Sequence, residues 1–102
     1  SQALITSEGK LMIRGSNELA SYPFEADISE SLKFFPEFKK IDFFTDFVVK
    51  DVAISGCTIH VLCQSKNSGL TKVFGWGSNF YGQLGLFDKK IVQRHPIEIK
   101  FD

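Results

Sequence analysis

Long apolar runs are missing from this 102-residue sequence. Nowhere do hydrophobic residues continue for the roughly eighteen positions that a membrane-spanning helix requires. The opening, SQALITSEGK, lacks the charged start and apolar stretch of a secretion signal. Net charge is also absent. Twelve Lys and Arg balance twelve Asp and Glu with no block of one sign, so no field draws the chain to nucleic acid or anionic lipid. Cysteine is scarce, at two residues, which excludes a disulfide framework and makes a reducing intracellular setting, nucleus or cytoplasm, the expectation. The chain opens on Ser1 rather than methionine, as expected of a piece of a longer protein.

What is present suffices for one modest core. At 43% hydrophobic and 24% charged, residues 1–102 read as a single globular unit. Its large rings are mostly phenylalanine: eleven, against one Trp and two Tyr, with seven of the eleven between Phe24 and Phe47. Period-2 patterns with β-branched residues recur in ALIT, KLMI, FVVKDVAI, TIHVLC, TKVF and PIEIKF, each bounded by turn residues. They predict short strands. The exception is DISESLKFF, where Asp27 and Glu30 have capping-box spacing and Ile28, Leu32 and Phe35 share a helical face. It predicts one short helix near residues 28–35, stopped by Pro36.

Landmarks repeat along the chain. Gly15, Ser16 and Asn17 lie 62 positions before Gly77, Ser78 and Asn79, and Gly9/Gly69 and Pro36/Pro96 are each 60 apart. Spacings in this range point to duplicated units, as in propellers or solenoids.

The stretch VFGWGSNFYGQLG, residues 73–85, holds four glycines and four aromatics in thirteen positions. Two ligand readings compete with an architectural one. Gly75, Gly77 and Gly82 have the wrong final spacing for a dinucleotide fingerprint, and no Gly-Lys-Ser/Thr follows to make a phosphate loop. Cys57, His60 and Cys63 would suggest a metal on a helix. Thr58, Ile59 and Val61 favour a strand, which puts both cysteines on one face about 20 Å apart and His60 on the other, too dispersed for one zinc. His95 has no nucleophile or carboxylate at a telling spacing, and Ser7, Glu8, Asp42 and Asp46 read as turn and solvent groups. No catalytic residue, cofactor or metal is expected.

Residues 51–99, and above all KVFGWGSNFYGQLGLFDKKIVQRHPIEI, resemble the repeat of the regulator of chromosome condensation family. Gly75, Trp76, Gly77, Asn79, Tyr81, Gly82, Gln83, Leu84, Gly85 and Pro96 fall in family order. Over residues 1–50 the copy is degenerate: Arg14 stands in the tryptophan position and ELASYP replaces FYGQLG. The resemblance implies an all-β fold of antiparallel β-propeller blades, here a partial propeller of under two repeats. In such a fold Gly75 and Gly77 would let strands pass closely, Gly82 and Gly85 would bracket a turn, and Trp76, Tyr81 and Leu84 would pack between blades. Under two repeats cannot close a ring, so further blades of a parent chain, self-association or a protein partner is expected to cover the open faces.

Two functions follow from the resemblance. One is a protein–protein interaction module without chemistry of its own; the other is part of a guanine-nucleotide exchange factor acting on a small GTPase. Neutral charge argues against chromatin attachment. The loop FDKKIVQR, with apolar Phe87 flanked by Asp88, Lys89, Lys90 and Arg94, is the candidate recognition surface, against the plainer reading of a solvated loop.

Overall fold

A computed structural model describes residues 2–16, 34–55, 58–78 and 92–100. Among the described residues there are seven strands, all but β3 overlapping one of the six alternating runs: β1 (Gln2–Ile5), β2 (Leu11–Ser16), β3 (Phe34–Lys40), β4 (Phe47–Ser55), β5 (Thr58–Ser65), β6 (Thr71–Ser78) and β7 (Val92–Ile99). A 3₁₀ turn, Asp42–Phe44, links β3 to β4. All neighbouring pairs are antiparallel. They form a three-stranded sheet, β1-β2-β3, and a four-stranded sheet, β4-β5-β6-β7. Each is a meander of the kind that makes a propeller blade.

The sequence landmarks occupy equivalent places in the two sheets. Gly9 and Gly69 lie in the β1–β2 and β5–β6 turns with φ of 79° and 73°. There Gly9 N–H donates to the Thr6 carbonyl and Gly69 N–H to the Ser65 carbonyl, both at 2.9 Å. Gly15 and Gly77 also have positive φ, 121° and 101°. Each stands where its strand slips register against the next, between Ile13 and Gly15 on β3 and between Gly75 and Gly77 on β7. A bulge with positive φ accepts glycine and strains other residues. Strands β1, β2 and β3 thus correspond to β5, β6 and β7.

The helix expected near residues 28–35 does not extend to its end. Phe34 and Phe35 belong to β3, and Pro36 lies inside that strand instead of stopping a helix; residues 28–33 fall outside the described part. The physical reason is position. Both β3 and β7, which carry Pro36 and Pro96, are edge strands, where a missing N–H can face away from the ladder.

One core joins the sheets. Leu11 and Ile13 from β2 cluster with Val49, Ile59, Val61, Cys63, Phe74 and Trp76 from the larger sheet and with Ile41 and Phe44 from the connection. Strict alternation produces this: in β5, Ile59, Val61 and Cys63 are buried while Leu62 is exposed. Phe44 sits at the centre of the aromatic group, with ring centroids 5.7 Å from Phe74, 5.9 Å from Trp76 and 6.2 Å from Phe47. Backbone bonds fasten the same junction, Val49 N–H to the Gly9 carbonyl at 2.8 Å and Ile41 N–H to the Leu11 carbonyl at 2.9 Å.

Candidate functional site

The glycine-aromatic motif begins in β6, where Phe74 and Trp76 point into the core and alternate with Gly75 and Gly77. Trp76 pairs in register with Ile59, and Gly75 with His60. Gly75 and Gly77 are themselves buried. The expected reason for Gly77 was close passage of strands; the conformation at its bulge, φ 101°, is a sufficient reason by itself. Pro96 is half-buried in β7. Asn79, Tyr81, Gly82, Gln83, Leu84 and Gly85 lie outside the described residues.

The candidate recognition segment divides. Phe87, Asp88, Lys89 and Lys90 are outside the described residues, whereas Arg94 belongs to β7 together with Val92 and Gln93. Val92 and Gln93 pair with Ser78 and Gly77, so the expected loop is shorter than the FDKKIVQR run. Gln93, Arg94 and His95 after Val92 break the apolar alternation that would mark the strand.

The degenerate first copy has a structural consequence at Arg14. Its guanidinium lies 4.7 Å from the Phe38 ring centroid, a cation–π arrangement, and its Nε donates to Gln2 Oε1 at 2.6 Å. Trp76, its counterpart, is fully buried. The same strand position therefore serves the shared core in one sheet and a half-buried contact with Phe38 and Gln2 in the other.

Groups that could carry chemistry are dispersed or engaged. Cys63 faces the core while His60 is on the opposite face of β5, and Cys57 is outside the described residues. Among the described residues no three His, Cys, Asp or Glu side chains are grouped to hold a metal ion. A cleft of about 140 Å³ is lined by Lys10, Lys40 and Lys66 above Leu11, Ile41, Phe44 and Phe47. Its ammonium groups are already engaged: Lys10 with Glu8 at 3.6 Å, Lys40 with Asp42 at 3.4 Å, and Lys66 with the Thr45 carbonyl at 3.1 Å. The two ion pairs are surface pairs of little energetic weight.

Burial raises the Cys63 thiol from 9.0 to about 11, with Lys72 opposing and Glu98 adding to the rise. The folded state therefore holds this proton more tightly than the unfolded one. Its contribution to stability is complete below pH 9 and is lost as pH rises through about 11. In a Cys57→Ser background, Cys63 should stay unreactive to a thiol reagent at neutral pH until the chain unfolds. Reaction at the rate of a free thiol in the native state would show the residue to be accessible.

Sequence reading did not single out Ile41 and Phe44, which bridge the sheets. Their role comes from tertiary placement, and the only local signal is the Asp-Phe-Phe step after a charged edge strand. Among the described residues, no helix is long and apolar enough to cross a membrane. No curated protein matches the chain. The family model of the regulator of chromosome condensation (RCC1) repeat matches residues 72–102, which span β6 and β7. The sequence resemblance, the antiparallel sheet and this match coincide on residues 72–102, and that part of the chain is similar to the regulator of chromosome condensation repeat.

Proposed function

We propose that the chain is a β-propeller-type protein–protein interaction module, a portion of a larger regulator, with no catalysis of its own. The observation that carries this reading is the coincidence of the family repeat, residues 72–102, with half of a four-stranded antiparallel sheet. A rigid sheet with a connecting segment between β6 and β7 is a scaffold for recognition, and binding residues concentrate on such connections. We place the recognition surface on Phe87, Asp88, Lys89, Lys90 and Arg94, an apolar group among charges of both signs. An intracellular site of action, nucleus or cytoplasm, goes with this reading.

The test is capture of partners from cell extract by the chain and by a Phe87→Ala, Arg94→Glu variant with an unchanged unfolding midpoint. Loss of a defined subset of partners is expected. Identical partner lists would remove this segment from the account. Accelerated nucleotide release from a captured small GTPase would instead favour the exchange-factor reading.

A further inference from the structure

Three lysines from separate parts of the chain meet over an apolar floor. Lys10 precedes β2, Lys40 ends β3 and Lys66 follows β5, and all three line the cleft of about 140 Å³ at the junction of the sheets. We propose that this cleft docks an acidic segment of a partner protein, seating one apolar side chain on the floor between carboxylates held by the lysines. This rests on the reading of the chain as an interaction module and adds a second contact surface with the chemistry of what it holds.

Strand register places the cleft at the ends of the sheets, away from their edges. Ile5 pairs with Leu11 and Met12 with Lys40 beside it in the smaller sheet, and Phe47 pairs with Ser65 and Gln64 with Thr71 beside it in the larger. The opposite ends carry the pairs Gln2–Arg14, Ser16–Phe34 and Ser78–Val92. The β2–β3 and β6–β7 connections and the chain before Gln2 therefore attach at those far ends. Neither edge strand β1 nor β7 lines the cleft, so a strand added at either edge leaves it open. Its walls are held in place by the Ile41 N–H bond to the Leu11 carbonyl and by the Lys66 N–H bond to the Asp46 carbonyl, both 2.9 Å.

The occupant is indicated by charge and by size. The lining carries three ammonium groups and no carboxylate. Glu8 and Asp42 reach Lys10 and Lys40 from outside the lining, at 3.6 and 3.4 Å, in exposed pairs that an incoming carboxylate can replace at little cost. Lys66 has no carboxylate within ion-pair distance among the described residues. Its ammonium donates to the Thr45 carbonyl at 3.1 Å, which leaves donors for a ligand oxygen. Below the lysines lie Leu11, Ile41, Phe44 and Phe47. An apolar cavity of about 150 Å³ accepts a benzene, so one Phe- or Leu-sized side chain matches this floor. An apolar anchor inside a charged rim is how protein interfaces are commonly built, and the sign of this rim selects acidic neighbours for the anchor.

The probe is a capped, fluorescein-labelled pentapeptide with one phenylalanine between two pairs of glutamates, titrated with the chain and followed by anisotropy at low and at physiological salt. Saturable binding that weakens with salt is expected. Replacing the lysines together, Lys10→Gln, Lys40→Gln and Lys66→Gln, should weaken it by about tenfold or more and flatten the salt dependence. All three side chains are exposed, so the urea midpoint should hardly move. A peptide with alanine in place of phenylalanine should bind about tenfold more weakly, and one with glutamine in place of glutamate should not compete. Three results would overturn the proposal: binding unchanged in the triple variant, equal binding of the alanine and phenylalanine peptides, or no saturable binding, whether or not the lysines carry the chain onto phosphatidylserine vesicles. A chain that gives any of these and still loses partners on substitution of Phe87 and Arg94 would reject the cleft and keep the interaction module.

Discussion

Replacing Trp76 by alanine is expected to lower the unfolding free energy by about 3–5 kcal/mol, a large part of the 5–15 kcal/mol typical of a domain. The indole is fully buried, packed 5.9 Å from the Phe44 ring in the cluster that joins the two sheets. Its removal takes away apolar burial and leaves a cavity that neighbours in three elements cannot close together. Leu70→Ala is the comparison, because Leu70 is 62% exposed and its loss should cost under about 0.5 kcal/mol. Urea midpoints followed by circular dichroism measure both. Equal shifts for the two variants would mean that Trp76 is not at the centre of the core.

Gly9→Ala and Gly69→Ala separate two reasons for a glycine. Both positions have nearly the same positive φ, 79° and 73°, so either alanine should cost about 1–2 kcal/mol in backbone strain. Only Gly9 is crowded. A Cβ there would come within 2.5 Å of Val48 Cγ1 and 3.3 Å of Val48 Cα, whereas at Gly69 nothing lies within 4 Å. Forcing Val48 aside adds a further cost of about 1–3 kcal/mol, and it disturbs the turn whose carbonyl receives the Val49 N–H. The Gly9 variant should therefore be the less stable of the two by roughly that amount in a urea titration. Indistinguishable midpoints would show that the β1–β2 turn can move away from β4 without penalty.

The fold was legible wherever the hydrophobic period was strict. FVVKDVAI and TIHVLC became β4 and β5, and the 60- and 62-residue spacings became matched turns and matched bulges. Gly9 and Gly69 looked equivalent and have equivalent φ, yet their surroundings differ, because what crowds Gly9 is a strand far along the chain. β3 was hidden for a different reason. Its FFPEFKK run carries a proline and three charges, acceptable on an edge that has one ladder to satisfy, and this erases the alternation that marks a central strand. The candidate site was less legible than the scaffold. Arg94 lies in β7 where a loop was expected, because the strand begins at Val92 and runs through a register shift that no alternating apolar pattern marks. Phe44 carries no local pattern because its burial depends on two sheets meeting around it.

That the two sheets form one body is the claim on which the binding surfaces depend. Trp76, the chain's single tryptophan, reports on the larger sheet, and Leu11 belongs to the smaller one. Equilibrium unfolding of Leu11→Ala followed by Trp76 fluorescence measures their coupling. The Trp76 transition should stay single and move to lower urea by the equivalent of about 2–5 kcal/mol. A Trp76 transition unmoved by Leu11→Ala would contradict the shared core and leave two sheets that fold independently.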